Sequence, residues 1–155
     1  MGGWGRNHRA CGGVSAGGYL KIYIASFFDT RERIRPFADR LWGMGHEVVS
    51  TWLNEVAKPP FMSRDAFWRK LAVKDVVEVG SADLIITDTM DVTPRGGREF
   101  ESGFAFASYQ HKLWYVVGPV RNIFHTLADQ RFDTWEEALS SLPKLPNKPE
   151  NPSSP

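Results

Sequence analysis

The residues best suited to do chemistry are a glutamate and the glycine-rich loop before it. Residues 95–105 read Arg-Gly-Gly-Arg-Glu-Phe-Glu-Ser-Gly-Phe-Ala and follow an apolar segment, residues 84–87, that resembles a strand. Apolar residues then recur at helical spacing. Gly96 and Gly97 would leave the first N–H groups of this helix exposed. These unpaired N–H groups and the helix dipole together favour the binding of an anion. Glu101 lies in the first turn, where an ionised carboxylate could attack an electrophilic carbon.

The same stretch also has an ordinary structural interpretation. Glutamates are common in the first turn of a helix because they suit the dipole, and paired glycines are common in loops. For residues 95–105 alone, this interpretation is the stronger one. The catalytic interpretation depends on what the elements around the stretch bring to it.

Composition indicates one domain with a substantial core. The chain has 155 residues, 42% of them hydrophobic, and a net charge of +1 that gives no argument for polymeric nucleic acid as a partner. No apolar run approaches the roughly 20 residues of a membrane span, so we expect no membrane partner. The lone cysteine, Cys11, fits a reducing compartment, and we predict a cytoplasmic protein. No motif indicates a metal or a cofactor.

The two ends of the chain differ from its middle. Residues 1–18 are rich in glycine and predict a flexible N-terminal extension, whereas residues 143–155 carry five prolines and predict a disordered tail. The folded domain is therefore expected over residues 19–142. Within it, strand-like segments cover residues 19–25, 46–51, 83–87, 112–117 and 131–133. Helical patterns fall between these segments and after the last one.

Alternating strands and helices predict an α/β fold. Crossovers of 10–20 residues predict a five-stranded parallel sheet with helices on both faces, in a flavodoxin-like doubly wound sandwich. Ligands of such sheets bind beyond the carboxyl ends of the strands, between the first and the third. That crevice would be bordered by residues 26–28, residues 88–97 and the start of the Glu101 helix.

Two further polar residues lie in otherwise apolar surroundings. Tyr23 falls inside the first strand, where an aromatic residue is more often core than catalytic. Asp75 follows Leu71 by four residues and so shares an apolar helical stripe. A carboxylate there is either buried, which is costly without a partner, or turned back to solvent, and the sequence pattern leaves both open.

An ordered series of segments resembles the nucleoside 2-deoxyribosyltransferase family over about residues 20–140. It is closest to short, often phage-encoded members that carry a Gly-Gly-Arg loop before Glu-x-Gly-x-Ala. The segments are residues 21–25 (Lys-Ile-Tyr-Ile-Ala), 45–48 (Gly-His-Glu-Val), 82–86 (Ala-Asp-Leu-Ile-Ile), 96–105, 117–119 (Val-Gly-Pro) and 122–125 (Asn-Ile-Phe-His).

The resemblance implies a role for four residues. Glu101 would be the nucleophile that attacks the anomeric carbon of deoxyribose, and Asp75 the acid that assists the leaving base. Tyr23 would orient the nucleophile through a hydrogen bond. Asn122 would contribute its side chain to the site of a neighbouring subunit, which implies a homodimer or a larger homo-oligomer.

The resemblance also bears on the rest of the substrate. Arg95 and Arg98 flank the paired glycines, as in the related 2'-deoxynucleoside 5'-monophosphate N-glycosidases, whose Gly-rich loop holds a phosphate. Asp88 and Asp91 are both candidates to hold a 5′-hydroxyl instead. Ser26 and Phe27 complete the predicted substrate-binding set, which contains Ser26, Phe27, Asp88, Asp91, Gly96, Gly97, Arg98 and Asn122.

The substrate is therefore expected to be a small 2'-deoxynucleoside or its monophosphate. The sequence leaves open whether the deoxyribosyl group passes to another base or to water. The alternative is a nucleotide-binding or sensing domain on the same fold that has no catalytic activity.

Overall fold

A computed structural model describes residues 18–55, 58–92, 96–107 and 112–145. Arg95, Cys11, nearly all of the predicted N-terminal extension and most of the predicted tail lie outside these ranges. Within them, no helix is both long enough and apolar enough to cross a membrane.

The centre of the molecule is a five-stranded sheet in which every strand pair is parallel. Its strands are β1 (Lys21–Ala25), β2 (Glu47–Val48), β3 (Leu84–Asp88), β4 (Leu113–Val117) and β5 (Gln130–Phe132). Their order across the sheet is β2-β1-β3-β4-β5. All five residues of β3 are buried, as expected of a central strand covered on both faces. The predicted flavodoxin-like fold class is confirmed.

Four α-helices cover the sheet within the ranges that the structure describes. They are α1 (Arg31–Gly43), α2 (Arg64–Ser81), α3 (Gly97–Ala107) and α4 (Trp135–Ser140), and short 3-10 helices span Phe28–Thr30, Thr51–Asn54 and Ile123–Leu127. Right-handed crossovers in this strand order place α1 and α2 on opposite faces. Phe37 of α1 stacks on Trp135 of α4 at 4.9 Å between ring centroids, whereas α2 packs against α3.

Local signals explain most of the helix boundaries. The Ser63 hydroxyl accepts the N–H of Ala66 at the start of α2, and the Thr134 hydroxyl accepts the N–H of Glu137 at the start of α4. Thr30 precedes α1, but its side chain makes no capping bond. Its hydroxyl donates to the carbonyl of Phe27 instead, at 2.6 Å.

The second strand is shorter than the sequence pattern predicts. Only Glu47 and Val48 pair with β1. The Ser50 hydroxyl accepts the N–H of Ile24 at 2.5 Å, so a side chain replaces the next ladder bond. Thr51 then starts a 3-10 helix.

The start of the predicted tail lies within the described residues and contacts the amino-terminal edge of the sheet. The Leu145 N–H donates to the carbonyl of Met44 at 2.9 Å. The buried ring of His46 bonds the carbonyl of Pro143 through Nε2, also at 2.9 Å, and accepts the Leu20 N–H at Nδ1.

Candidate active site

A cavity of about 200 Å³ opens at the carboxyl ends of β1 and β3. Ser26 follows β1, and Gly97 begins the helix that follows β3, so the topology places both at this edge. The residues that line the cavity are Ser26, Phe27, Phe28, Trp52, Asp75, Gly97, Arg98 and Glu101. Five of the predicted site residues are thus brought together with Glu101.

Glu101 is one of the two acids that line this cavity. It lies in the second turn of α3 and not, as predicted, in the first turn, because the helix begins at Gly97. Its Oε1 accepts a hydrogen bond of 3.0 Å from the hydroxyl of Tyr23. Burial raises the pKa of Glu101 to about 8, and the charges of Asp75 and Glu78 add to the rise. The hydrogen bond from Tyr23 acts in the opposite direction, because it stabilises the carboxylate.

Tyr23 supplies this bond from the interior of β1. The residue is fully buried. Burial and the negative charge of Glu101 raise the pKa of its phenol. Tyr23 therefore stays neutral and keeps the proton that it donates to the Glu101 carboxylate.

Asp75 is the second acid of the cavity, and it projects from α2. Burial raises its pKa to about 6, with a contribution from the charge of Glu78, whereas Lys74 lowers it. Its Oδ1 is buried and has no hydrogen-bond partner among the described residues. A buried carboxyl oxygen without a partner is costly, so this atom is available to a ligand. Of the two orientations that the sequence left open, Asp75 adopts the inward one.

The two acids can therefore hold different protonation states near neutral pH. Two coupled carboxyl groups lose their protons in two steps that belong to the pair. One member can be ionised while the other keeps its proton, which is the arrangement that acid–base and nucleophilic chemistry on one substrate requires.

Gly96 and Gly97 leave open space and do not adopt the backbone angles that favour glycine. Neither has a positive φ, and a Cβ added to either would meet nothing within 4 Å. The conformational reason for glycine at these positions is therefore absent. What the glycines leave is unfilled room, and Gly97 leaves it at the cavity wall.

Arg98 lines the cavity but is not a free cation. Its side chain is only 4% exposed. One terminal nitrogen donates to the carbonyls of Asp88 and Asp91, at 3.0 and 3.2 Å. The rest of the guanidinium faces the Glu99 carboxylate, at 2.6 Å from the other terminal nitrogen.

The two aspartates considered for the 5′-hydroxyl are not among the residues that line the cavity. Asp88 is buried, and its carboxylate accepts two bonds from Arg33 and one from the Trp135 indole. Asp91 is exposed and pairs with the same arginine at 2.7 Å. Arg33 thus joins α1 to the end of β3, a contact that no local sequence signal indicates.

Asn122 lies at a different cavity of about 510 Å³, together with Glu99 and His125. Its Oδ1 accepts the N–H groups of Phe124 and His125, and its Nδ2 donates to Glu99 Oε2 at 2.8 Å. Within one chain, Asn122 therefore does not reach the Glu101 cavity. The remaining walls of this second cavity are largely aromatic.

Trp52 is the cavity residue that sequence reasoning missed. It is 7% exposed and donates its indole N–H to the carbonyl of Ile24 at 2.8 Å. Its position just after the second strand is the signal that places it at the carboxyl edge of the sheet.

No group of three or more His, Cys, Asp or Glu side chains is arranged to hold a metal ion in the part of the chain that the structure describes.

Comparison with known proteins identifies a fold rather than a sequence relative. No protein-family model matches the chain, and no curated protein matches its sequence. A solved 2-deoxyribosyltransferase from Bacillus psychrosaccharolyticus superposes with a TM-score of 0.62 at 23% identity, over 82% of this chain and 98% of that one. The chain has the fold of a 2-deoxyribosyltransferase. A CMP N-glycosidase from Clostridium botulinum, BcmB, matches at 20% identity with a TM-score of 0.48, over 77% of this chain and 95% of that one.

Proposed function

We propose that this protein is an enzyme that cleaves the N-glycosidic bond of a 2'-deoxynucleoside or its 5'-monophosphate. The observation that carries the proposal is the pairing of Glu101 with a buried tyrosine donor in a cavity that also holds Asp75. The shared fold with a 2-deoxyribosyltransferase agrees with it. The resemblance of the sequence motifs points to the same chemistry.

The reaction requires Glu101 to be ionised and Asp75 to be protonated. Near neutral pH this is the less populated of the two singly protonated forms, because burial raises the pKa of Glu101 to about 8 and that of Asp75 to about 6. Breaking the C1′–N bond develops positive charge on the sugar, which a nearby carboxylate stabilises. An oxygen of Glu101 forms a bond to C1′ as the base departs, and the base takes a proton from Asp75. An acceptor then attacks C1′, the bond to Glu101 breaks, and the proton of the acceptor passes to Asp75.

The nature of the acceptor distinguishes transfer from hydrolysis. A second base that enters the cavity gives exchange, and water gives a free sugar. The 5′ end of the substrate is expected to lie near Gly97. The glycines leave space there for a hydroxyl or a phosphate, to which the first N–H groups of α3 could donate hydrogen bonds.

The active form is proposed to be a homodimer or a larger homo-oligomer. The second cavity and its rim expose several large apolar side chains, namely Phe100, Phe106, Ile123, Phe124 and Leu127. Exposed apolar side chains that cluster in this way are typical of protein–protein contact sites. A second copy on this face would bring Asn122 close to the site of a neighbour, as the resemblance implies.

The test is a direct assay with a nucleophile variant. The protein is incubated with each 2'-deoxynucleoside and each monophosphate, with and without a second base, and the products are separated by chromatography. Glu101→Gln should lower the rate at least about a thousandfold while the protein still folds. Glu136→Gln, which changes a 63% exposed glutamate, is the control and should retain full activity.

Near-normal turnover in Glu101→Gln would refute the nucleophile assignment. Binding of these ligands without cleavage in the unmodified protein would instead support the non-catalytic alternative.

A further inference from the structure

A charged guanidinium is buried in the wall of the candidate site. Arg98 is the second residue of α3, and its side chain is almost inaccessible to solvent. Removing this charge from water is costly unless its donors are satisfied. Its Nε, Nη1 and Nη2 all donate to protein acceptors.

Two of these acceptors are backbone carbonyls at the end of β3 and just after it. Asp88 is the last residue of β3, and Asp91 lies three residues further along. Arg98 donates to the carbonyls of both residues and so links the first turn of α3 to the end of β3. A planar fork with several fixed donors can hold separate acceptors at once, which a single ammonium cannot do as well.

The next turn of α3 is also fastened to β3. The Ser102 hydroxyl donates to the carbonyl of Arg98 at 2.8 Å and bonds the Thr87 hydroxyl at 2.7 Å. Glu101 thus lies between two buried residues that are each tied to the strand or to the loop after it.

The negative partner of Arg98 is fixed from the other side. Glu99 Oε1 faces the guanidinium, whereas its Oε2 accepts bonds from His125, at 2.9 Å, and Asn122. His125 is fully buried. The ion pair is therefore anchored both on β3 and on the 3-10 helix after β4.

We propose that Arg98 is a positioning residue for Glu101, whose guanidinium fixes the loop after β3 and the first turn of α3 and so sets where the nucleophile lies. The inference rests on the proposed function. It differs from a phosphate-binding role for Arg98, because a phosphate could bind the guanidinium only if Arg98 released its present acceptors.

The experiment compares Arg98→Lys and Arg98→Met with the unmodified protein. Lysine keeps the positive charge but lacks the planar guanidinium with its several donors. Methionine keeps much of the length of the side chain but carries no charge. A nucleophile displaced by about 1 Å reacts about a hundredfold more slowly. We expect kcat to fall tenfold to a hundredfold in Arg98→Lys, with KM changed less than threefold for both nucleoside and monophosphate.

Two further measurements separate positioning from a general loss of structure. The pH midpoints of the rate should stay nearly unchanged, because burial is the main cause of the raised pKa of Glu101 and of Asp75, and Arg98 contributes to neither shift. Amide hydrogen exchange should accelerate at least about tenfold in residues 88–92 and 96–101, while protection in β1 and β4 is kept. If Arg98→Met does not fold, Arg98→Lys decides the outcome.

Arg121→Lys is the matched control. Arg121 also donates to two carbonyls of the same loop, those of Thr89 and Met90, but from an exposed position. Its substitution should change kcat less than twofold.

Three results would overturn the proposal. One is unchanged kcat together with unchanged exchange in Arg98→Lys, and another is an equal loss of kcat in Arg121→Lys. The third is a rise in KM confined to the monophosphate, which would make Arg98 a phosphate ligand. If the unmodified protein cleaves none of these substrates, the proposed function fails, and the exchange measurement still tests whether Arg98 holds the loop.

Discussion

Burial raises the pKa of Glu101 to about 8, whereas the same carboxyl in the unfolded chain titrates near its ordinary value. Between these two values the unfolded chain is ionised and the folded protein still holds the proton. The folded state binds more protons there, so its stability falls as the pH rises from about 4.5 to 8. A group suited to catalysis thus opposes folding at neutral pH.

Glu101→Gln should consequently stabilise the protein at pH 7 by up to about 3 kcal/mol, because the carboxylate of the unfolded chain must take up a proton to fold, whereas the neutral amide does not. The measurement is urea unfolding of both proteins at pH 7 and at pH 4. At pH 4 the carboxyl is largely protonated in both states, and the difference should nearly vanish. An equal gain at both pH values would show that the charge is not its source.

Tyr23 and Asp75 should move the pKa of Glu101 in opposite directions. Removing the phenol in Tyr23→Phe takes away a bond to the carboxylate and raises that pKa, whereas Asp75→Asn removes a neighbouring negative charge and lowers it. The unmodified enzyme should show a bell-shaped profile of kcat/KM with limbs near pH 6 and pH 8.

In Tyr23→Phe, the upper limb should lie above pH 8. Asp75→Asn should be slower and keep one limb that rises with pH, with its midpoint below 8, because the proton donor is gone and only ionisation of Glu101 remains. Shifts in the same direction for both variants would contradict the assigned contacts.

At the scale of elements, the turn after β4 depends on one glycine. Gly118 has a φ of 106°, and a Cβ added to it would lie 2.9 Å from the backbone nitrogen of Met90 and from the Thr89 hydroxyl. Strained backbone and a backbone clash each cost of order 1–3 kcal/mol. Gly118→Ala should therefore lower the free energy of unfolding by about 2 kcal/mol or more in denaturant titration.

Gly43→Ala serves as the control for that measurement, because a Cβ there meets nothing within 4 Å. Equal stability of the two variants would contradict the structural role of Gly118.

The sequence predicts helices and strands well where apolar side chains recur at a regular spacing. It predicts them less well where a single side chain replaces a backbone hydrogen bond. Alternating strands and helices were enough to predict the fold class, since strands and helices over residues 19–142 follow one another in the predicted order. The second strand was predicted too long because the bond between Ser50 and Ile24 joins residues 26 positions apart. No local pattern can reveal such a bond.

The same limit applies to the site. The position of Glu101 beside Tyr23 agrees with the motifs that the sequence resembles. The surroundings of Arg98 and Asp88 depend on partners from other elements, including Arg33 and Trp135. Both residues were expected near substrate because they flank a glycine-rich loop, and loop composition does not show which charges are already paired.

At the scale of the whole molecule, the largely apolar second cavity is the surface on which assembly is expected. Phe124 is 62% exposed at its rim. Phe124→Asp would place a charge in a contact that excludes water, so it should shift the protein toward monomer in sedimentation. It should also lower activity if Asn122 serves a neighbouring site.

Phe61→Asp is the matched control, since Phe61 is 86% exposed and lies before α2, away from that cavity. It should leave the sedimentation coefficient unchanged. A fully active monomer of the unmodified protein would contradict the proposed assembly.

The contact of Leu145 with Met44 has a practical consequence for attaching the protein to a support. Gly18 and Leu145 both lie close to the amino-terminal edge of the sheet, next to Leu20 and His46. The Glu101 cavity opens at the opposite, carboxyl-terminal edge. If the protein is attached to a resin or a sensor surface through a tether at either residue, the mouth of the cavity therefore faces away from the support. Substrate would then reach the cavity without obstruction.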